Sequence, residues 1–161
     1  MIAGTAIRPR FSHLVYGVVL VSVCPRGGIR PLTPVLSESR VFYDDGPTFR
    51  DSVRMIVRDQ AAWQSQWRRA TSLQVTPPPL PAMNFDREMA VLVAAGRMSP
   101  GDQIHVDSAG LQGDYFVVWV RTIVQCRRFS GDVYPLEIVR VAQSDKPPHF
   151  IERRERGASC T

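Results

Sequence analysis

Lysine is nearly missing from this chain: of 20 basic residues, Lys146 is the only lysine and the others are arginine. A GC-rich genome favours arginine codons, so the skew names no function. The basic charge is also not gathered. The formal net charge is +5, and setting aside Arg8 and Arg10 in the N-terminal segment leaves about +3. The arginines are scattered, apart from Arg127-Arg128 and the tail residues Arg153, Arg154 and Arg156. A nucleic-acid binder needs its charge on one face, so nucleic acid is not an expected partner.

Catalytic signatures are scarce as well. There is no Gly-x-Ser-x-Gly, no His-Glu-x-x-His and no P-loop. The histidines are His13, His105 and His149, and the first lies in the N-terminal segment. Cys-x-x-Cys is absent, which removes the redox dithiol and the zinc ribbon. Asp102, Asp107 and Asp114 do not follow a calcium-loop spacing. No catalytic residue, metal, cofactor or small-molecule substrate is therefore expected, and the chain does not read as an enzyme.

The N-terminus carries a different kind of signal. Arg8 and Arg10 precede the apolar run from Leu14 to Cys24. A basic start followed by roughly 10 apolar residues is the pattern of a secretory signal. The run falls short of the about 20 apolar residues of a comfortable transmembrane helix. Leu20-Val-Ser-Val-Cys24 resembles a bacterial lipobox, with Val23 where a small residue is usual. Cys24 is thus a candidate lipid anchor; a plain signal peptide and an uncleaved membrane anchor are the alternatives. The division expected is residues 1–24 as signal or anchor, 25–39 as a Pro-, Gly- and Ser-rich tether, and 40–161 as a single α+β interaction domain. The expected location is periplasmic or otherwise extracytoplasmic, tethered to the membrane.

Three cysteines include Cys24. Cys126 and Cys160 remain as an even pair in an exported chain, where disulfides persist. Closing that loop would stabilise the domain by roughly 3–4 kcal/mol in the chain-entropy model. Two free buried thiols are the competing reading.

The organising stretch of the domain is Asn84 to Val106. Met89–Ala95 is apolar on both faces and reads as an interior strand. Gly96 ends it, Ser99-Pro100-Gly101 turns, and Gln103–Ser108 alternates, with Ile104 and Val106 inward and His105 and Asp107 outward together. Arg40–Tyr43 and Ser52–Arg58 read as a lead-in hairpin around Asp44-Asp45-Gly46-Pro47. Asp59 fits a helix N-cap, its carboxylate accepting from Ala61 or Ala62, and the helix runs from Gln60 to about Ala70. Trp63 and Trp67 share one face of it, as they would if the helix docks on a sheet; an aromatic platform for sugars or bases is the other reading. Thr76–Pro81 is extended polyproline. A turn over Ala109–Asp114 leads to the strongest strand, Tyr115–Val124. Pro135–Ala142 and an edge-like His149–Arg153 follow. The sum is α+β: one helix packed on a mostly antiparallel, strongly twisted sheet or partial barrel of about six or seven strands.

Several residues in this order carry a resemblance. A Trp-x-x-x-Trp helix (Trp63, Trp67) precedes a Pro-rich link, then Asn84-Phe85 leads to an apolar strand ending at Gly96-Arg97. Ile104-x-Val106, a long strand to Cys126, Tyr134-Pro135, Phe150 and Cys160 follow. Over about residues 52–160 this is similar to the C-terminal domain of the PrcB-type protease-complex subunit family of exported bacterial proteins. Met83-Asn84-Phe85 stands where that family usually has Val-Asp-Phe, and Pro100-Gly101-Asp102 where it has a Gly-Gly-Tyr-like turn. The resemblance implies a non-catalytic domain that binds and stabilises a protein partner.

The function expected is a membrane-tethered, extracytoplasmic interaction module: an accessory or structural subunit of a larger envelope or membrane-protein complex. Its partner-binding residues would lie in the turn Arg97, Ser99, Pro100, Gly101 and Asp102, with strand addition at the first or last strand as one mode. The alternatives are a small exported hydrolase or metal-dependent enzyme using His105 and Asp107, and a ligand-binding lipoprotein using Trp63 or Trp67.

Overall fold

A computed structural model describes Thr33, Pro34 and residues 39–160; the expectations for Cys24 and for residues 1–24 lie outside them. In chain order the elements are β1 (Thr33–Pro34), β2 (Arg40–Asp44), β3 (Ser52–Val57), α1 (Gln60–Ala70), β4 (Glu88–Ala95), β5 (Gln103–Gln112), β6 (Tyr115–Val124), β7 (Leu136–Ala142) and β8 (Pro148–Arg156). The fold is α+β, as expected, with one α-helix among the described residues.

The strands form two sheets, which corrects the expectation of one twisted sheet or partial barrel. One sheet has the order β2-β7-β4-β3. The other has β5-β6-β8, with the two-residue β1 added beside β5. All pairings are antiparallel except β6 with β8. The expected hairpin of Arg40–Tyr43 with Ser52–Arg58 does not form. Its two strands, β2 and β3, lie at opposite edges of the first sheet, with β7 and β4 between them. Asp44–Pro47 does bend the chain, but β4 and β7 bury apolar residues on both faces and take the centre.

That two-sided character dictates three layers. On one face of the first sheet, Trp63, Trp67 and Ala70 of α1 pack on Ala90, Leu92 and Ala94 of β4 and on Leu136 and Ile138 of β7. On the other face, Met89, Val91, Val93 and Val139 meet Ile104, Val106, Phe116, Val118 and Val120 of the second sheet. Each buried aliphatic side chain contributes about 1.5–3 kcal/mol relative to exposure.

The helix begins where Asp59 accepts from the backbone N–H of Ala62 at 2.8 Å. Arg68 and Arg69 occupy its last turn, where cations oppose the negative end of the dipole. Both tryptophans are buried, and their indole N–H groups donate to the carbonyls of Pro81 (2.9 Å) and Pro78 (3.2 Å). The proline-rich link is thus latched across the helix, and the aromatic pair is core rather than an exposed platform.

Gly96 closes β4 with φ +75°, and a Cβ there would lie 3.0 Å from the backbone nitrogen of Ser52. The expected turn over Ala109–Asp114 is shorter: β5 continues to Gln112, and Gly113-Asp114 alone makes the hairpin, with Gly113 at φ +60°. Ala109 and Gly110 look like turn residues, yet they sit opposite Val118 and Val117, where small partners leave room.

Trp63→Ala should destabilise the domain by about 3–5 kcal/mol, the range for removing a buried large aromatic. Half-exposed Trp119→Ala should cost well under half of that in the same urea titration.

Candidate interaction surface

The turn between β4 and β5 is built around a buried carboxylate. Asp102 is 4% exposed. Its Oδ2 accepts from the backbone N–H of Ser99 (3.2 Å) and from Arg128 Nη1 (2.9 Å), and its Oδ1 accepts from the backbone N–H of Gln125 (2.7 Å). The N–H of Asp102 in turn donates to the carbonyl of Ser99 at 3.0 Å. Met98 and Val133 exchange backbone hydrogen bonds of 2.8 and 3.0 Å. Residues 97–102 are therefore clamped to residues 125–134 from several directions.

Of the residues expected to bind a partner, Arg97 and Gly101 are exposed, Ser99 and Pro100 are half-buried, and Asp102 is structural. Gly101 holds φ +90°. Arg97 Nε lies 2.8 Å from Asp132 Oδ1, and that hydrogen bond holds the guanidinium above its ordinary pKa. The turn thus offers a shaped rim whose one buried acid is already committed.

A disulfide joins Cys126 and Cys160. It ties the segment after β8 to the end of β6, where Gly157 N–H also donates to the carbonyl of Val124 at 2.9 Å. A sequence separation of 34 residues corresponds to about 3–4 kcal/mol of chain-entropy stabilisation. The bond is consistent with an oxidising, extracytoplasmic compartment. It also removes the thiolate that neighbouring Arg127 and Arg128 would favour.

His105 and Asp107 are not brought together as a pair. Ile104 and Val106 are buried and His105 and Asp107 half-buried, as alternation requires; the β5–β6 register shifts only between Val106 and Ser108, with Asp107 the extra residue of a bulge. Asp107 accepts from Arg121 Nε at 2.9 Å, and this hydrogen bond raises the guanidinium pKa. His105 stacks on Tyr43 with ring centroids 5.7 Å apart, and its Nδ1 lies 3.3 Å from Glu137 Oε1. No group of three or more His, Cys, Asp or Glu among the described residues is arranged to hold a metal ion.

Glu137 is the residue that sequence reasoning missed. It is fully buried. Its Oε2 accepts from the backbone N–H of Val106 at 2.6 Å, and its Oε1 lies 2.9 Å from Arg40 Nε. One carboxylate on β7 thus joins β2, β5 and β7 across the two sheets. The available signal was a lone acid among Leu136, Ile138, Val139 and Val141 of a strand pattern.

Two shallow clefts flank the open end of the sandwich. One, of about 370 Å³, is lined by residues that include Arg54, Arg97, Met98, Glu152 and Arg154. The other, of about 430 Å³, is lined by residues that include Cys126, Arg128, Arg154 and Arg156. They share Arg154, so the rim of the turn and the end of β8 form one continuous surface.

No family model matches this chain, and neither a curated protein nor a solved structure matches it.

Two predictions follow from the buried polar groups. Glu137→Ala leaves the Val106 N–H without its acceptor and should cost about 1–3 kcal/mol, whereas Glu137→Gln keeps an acceptor and should cost less; equal losses in chemical denaturation would remove the hydrogen-bonding role. Tyr43 has its pKa raised above 10.0 by burial first, then by Asp45, Glu137 and Asp44. Above about pH 10 the unfolded chain ionises at this position while the folded chain keeps the proton, so stability falls until the pH passes the folded value. Tyr43→Phe should show a shallower loss than the parent across that window, read as melting temperature against pH.

Proposed function

We propose that this chain is a non-catalytic, extracytoplasmic protein-interaction module, tethered to the membrane by its N-terminus. In this reading it is an accessory subunit that stabilises a larger envelope assembly. The observation that carries it is the turn Arg97–Asp102: exposed at its rim, yet fixed by the three hydrogen bonds to Asp102. A surface rigid before binding loses little freedom on docking, which is how a small contact area gains affinity. The Cys126–Cys160 bond supports the same reading, since it braces the facing segment in an oxidising compartment. The resemblance to the PrcB-type subunit family over about residues 52–160 points the same way, towards holding a protein partner. The N-terminal pattern around Cys24 supplies the tether.

In this role Arg97, Ser99, Pro100 and Gly101 form the contact rim, and Asp102 maintains its shape. Cofactors have no part in it. The full-length protein, recovered from its membranes in mild detergent, should carry a partner. The triple variant Arg97→Ala, Ser99→Ala, Pro100→Ala should weaken that complex by roughly tenfold or more, the scale of losing contacts at an energetic centre, with the melting temperature little changed. Full retention of the partner by this folded variant would remove the turn as the contact surface. Intact mass of the recovered chain reports whether residues 1–23 are cleaved and Cys24 acylated.

A further inference from the structure

The acids at the open end of the sandwich are almost all taken. Glu152 pairs with Arg54 Nε at 2.6 Å, and Glu155 with Arg153 at 2.8 Å and Arg121 at 3.6 Å. Asp102 is held by Arg128, Asp107 by Arg121 and Asp132 by Arg97. Arg154 and Arg156 are exposed, and their side chains make no hydrogen bond or ion pair among the described residues. They line the shared cleft surface, on the same strand.

That strand, β8, is an edge. It pairs only with β6 among the described residues. Arg156 is in register with Val124, and the N–H of Gly157 donates to the Val124 carbonyl. In a parallel ladder this parity turns the backbone groups of Gly157, Glu155 and Arg153 towards β6. The backbone N–H and C=O groups of Arg154 and Arg156 then point away from β6, to the open side. Residues two apart on a strand share a face and lie about 7 Å apart. Among the described residues, the edge therefore presents unpaired backbone donors and acceptors together with two unneutralised guanidinium groups at alternate positions.

We propose that the β8 edge docks an extended acidic segment of the protein partner, which adds as a strand and places carboxylates at alternate positions opposite Arg154 and Arg156. This rests on the partner-binding function proposed above and names the chemistry of the segment that is bound. Backbone pairing supplies affinity and the alternate side chains supply selection. Opposite charges across a strand pair stabilise it and like charges oppose it, so this edge selects an acidic strand over a basic one. Guanidinium forks match carboxylates in a bidentate geometry that an ammonium cannot reproduce.

The test uses the full chain in detergent and a fluorescent peptide of alternating Glu and Val, with a second peptide of the same composition but its Glu residues in one block. The alternating peptide should bind better than the block peptide, and Arg154→Glu with Arg156→Glu should weaken it about tenfold or more. An alternating Lys-Val peptide should bind the charge-reversed protein in its place. Equal binding of the alternating and block peptides, no binding by the parent protein, or no loss in the variant would each overturn the proposal. Vesicles of anionic phospholipid form a separate arm: Arg154- and Arg156-dependent vesicle binding without peptide binding would overturn it in favour of a membrane surface. Loss of the native complex in the turn variant, with full retention in the β8 variant, would sink the β8 inference and leave the partner-binding reading standing.

Discussion

Everything in this molecule depends on β4 and β7 carrying buried apolar residues on both faces. A strand of that kind cannot lie at a surface, because one face would always meet water. It needs a cover on each side. The chain supplies α1 through Trp63 and Trp67 on one side and the β5-β6-β8 sheet on the other. The edges of the first sheet then fall to β2 and β3, whose burial is only partial. The three-layer order is the consequence of a hydrophobic constraint on two strands, and the turns adjust to it.

The two sheets are joined by polar links as well as by the apolar core. Glu137 reaches from the first sheet to the backbone of β5 beside the bulge at Asp107. Arg54 reaches from β3 to Glu152 on β8. The first link is buried and the second lies at the surface. Taking a carboxylate out of water costs several kcal/mol unless its lone pairs are occupied, and Glu137 meets that condition with Arg40 and the Val106 N–H. The surface pair contributes little by comparison. The buried link therefore fixes how β5 sits against β7, and with it the orientation of the strand that enters from the turn.

Periodicity reported the local elements well and the long-range pairing poorly. The helix limits, the N-cap at Asp59 and the strand Tyr115–Val124 were legible because each is encoded by neighbouring residues. Met89–Ala95 was legible as interior, but an apolar run does not say whether its second face meets a helix or another sheet. The places of β2 and β3 at opposite edges depend on which strands enter between them, and no local pattern carries that. The alternation around His105 and Asp107 was legible, since Ile104 and Val106 are buried and the other two are half-buried; their separate partners, Glu137 for His105 and Arg121 for Asp107, come from other strands and were not. The proposed contact turn was legible as a turn through Pro100 and Gly101. Its clamping was not, since Asp102, Gln125 and Arg128 are separated in sequence and meet only in the fold.

Arginine usage gains a physical meaning once the pairs are placed. Arg40, Arg54, Arg97, Arg121 and Arg128 each meet a carboxylate, and several also hold strands or turns together. A planar guanidinium can bond a carboxylate and a backbone carbonyl at once, as Arg54 does with Glu152 and the carbonyl of Ala94. A lysine presents one compact charge and fixes no plane. The abundance of arginine, which the sequence explains through codon bias alone, is thus used structurally at nearly every junction around the turn and β8. The exceptions stand out against that background. Where surrounding arginines have consumed the local acids, Arg154 and Arg156 have no ion-pair partner among the described residues, on a strand that pairs only with β6 among them. Charged edges commonly serve to prevent unwanted pairing, but here the unneutralised charges share one sign and one face. Such an edge disfavours basic strands and strands like its own C-terminal end, which is why an acidic strand is the occupant proposed for it.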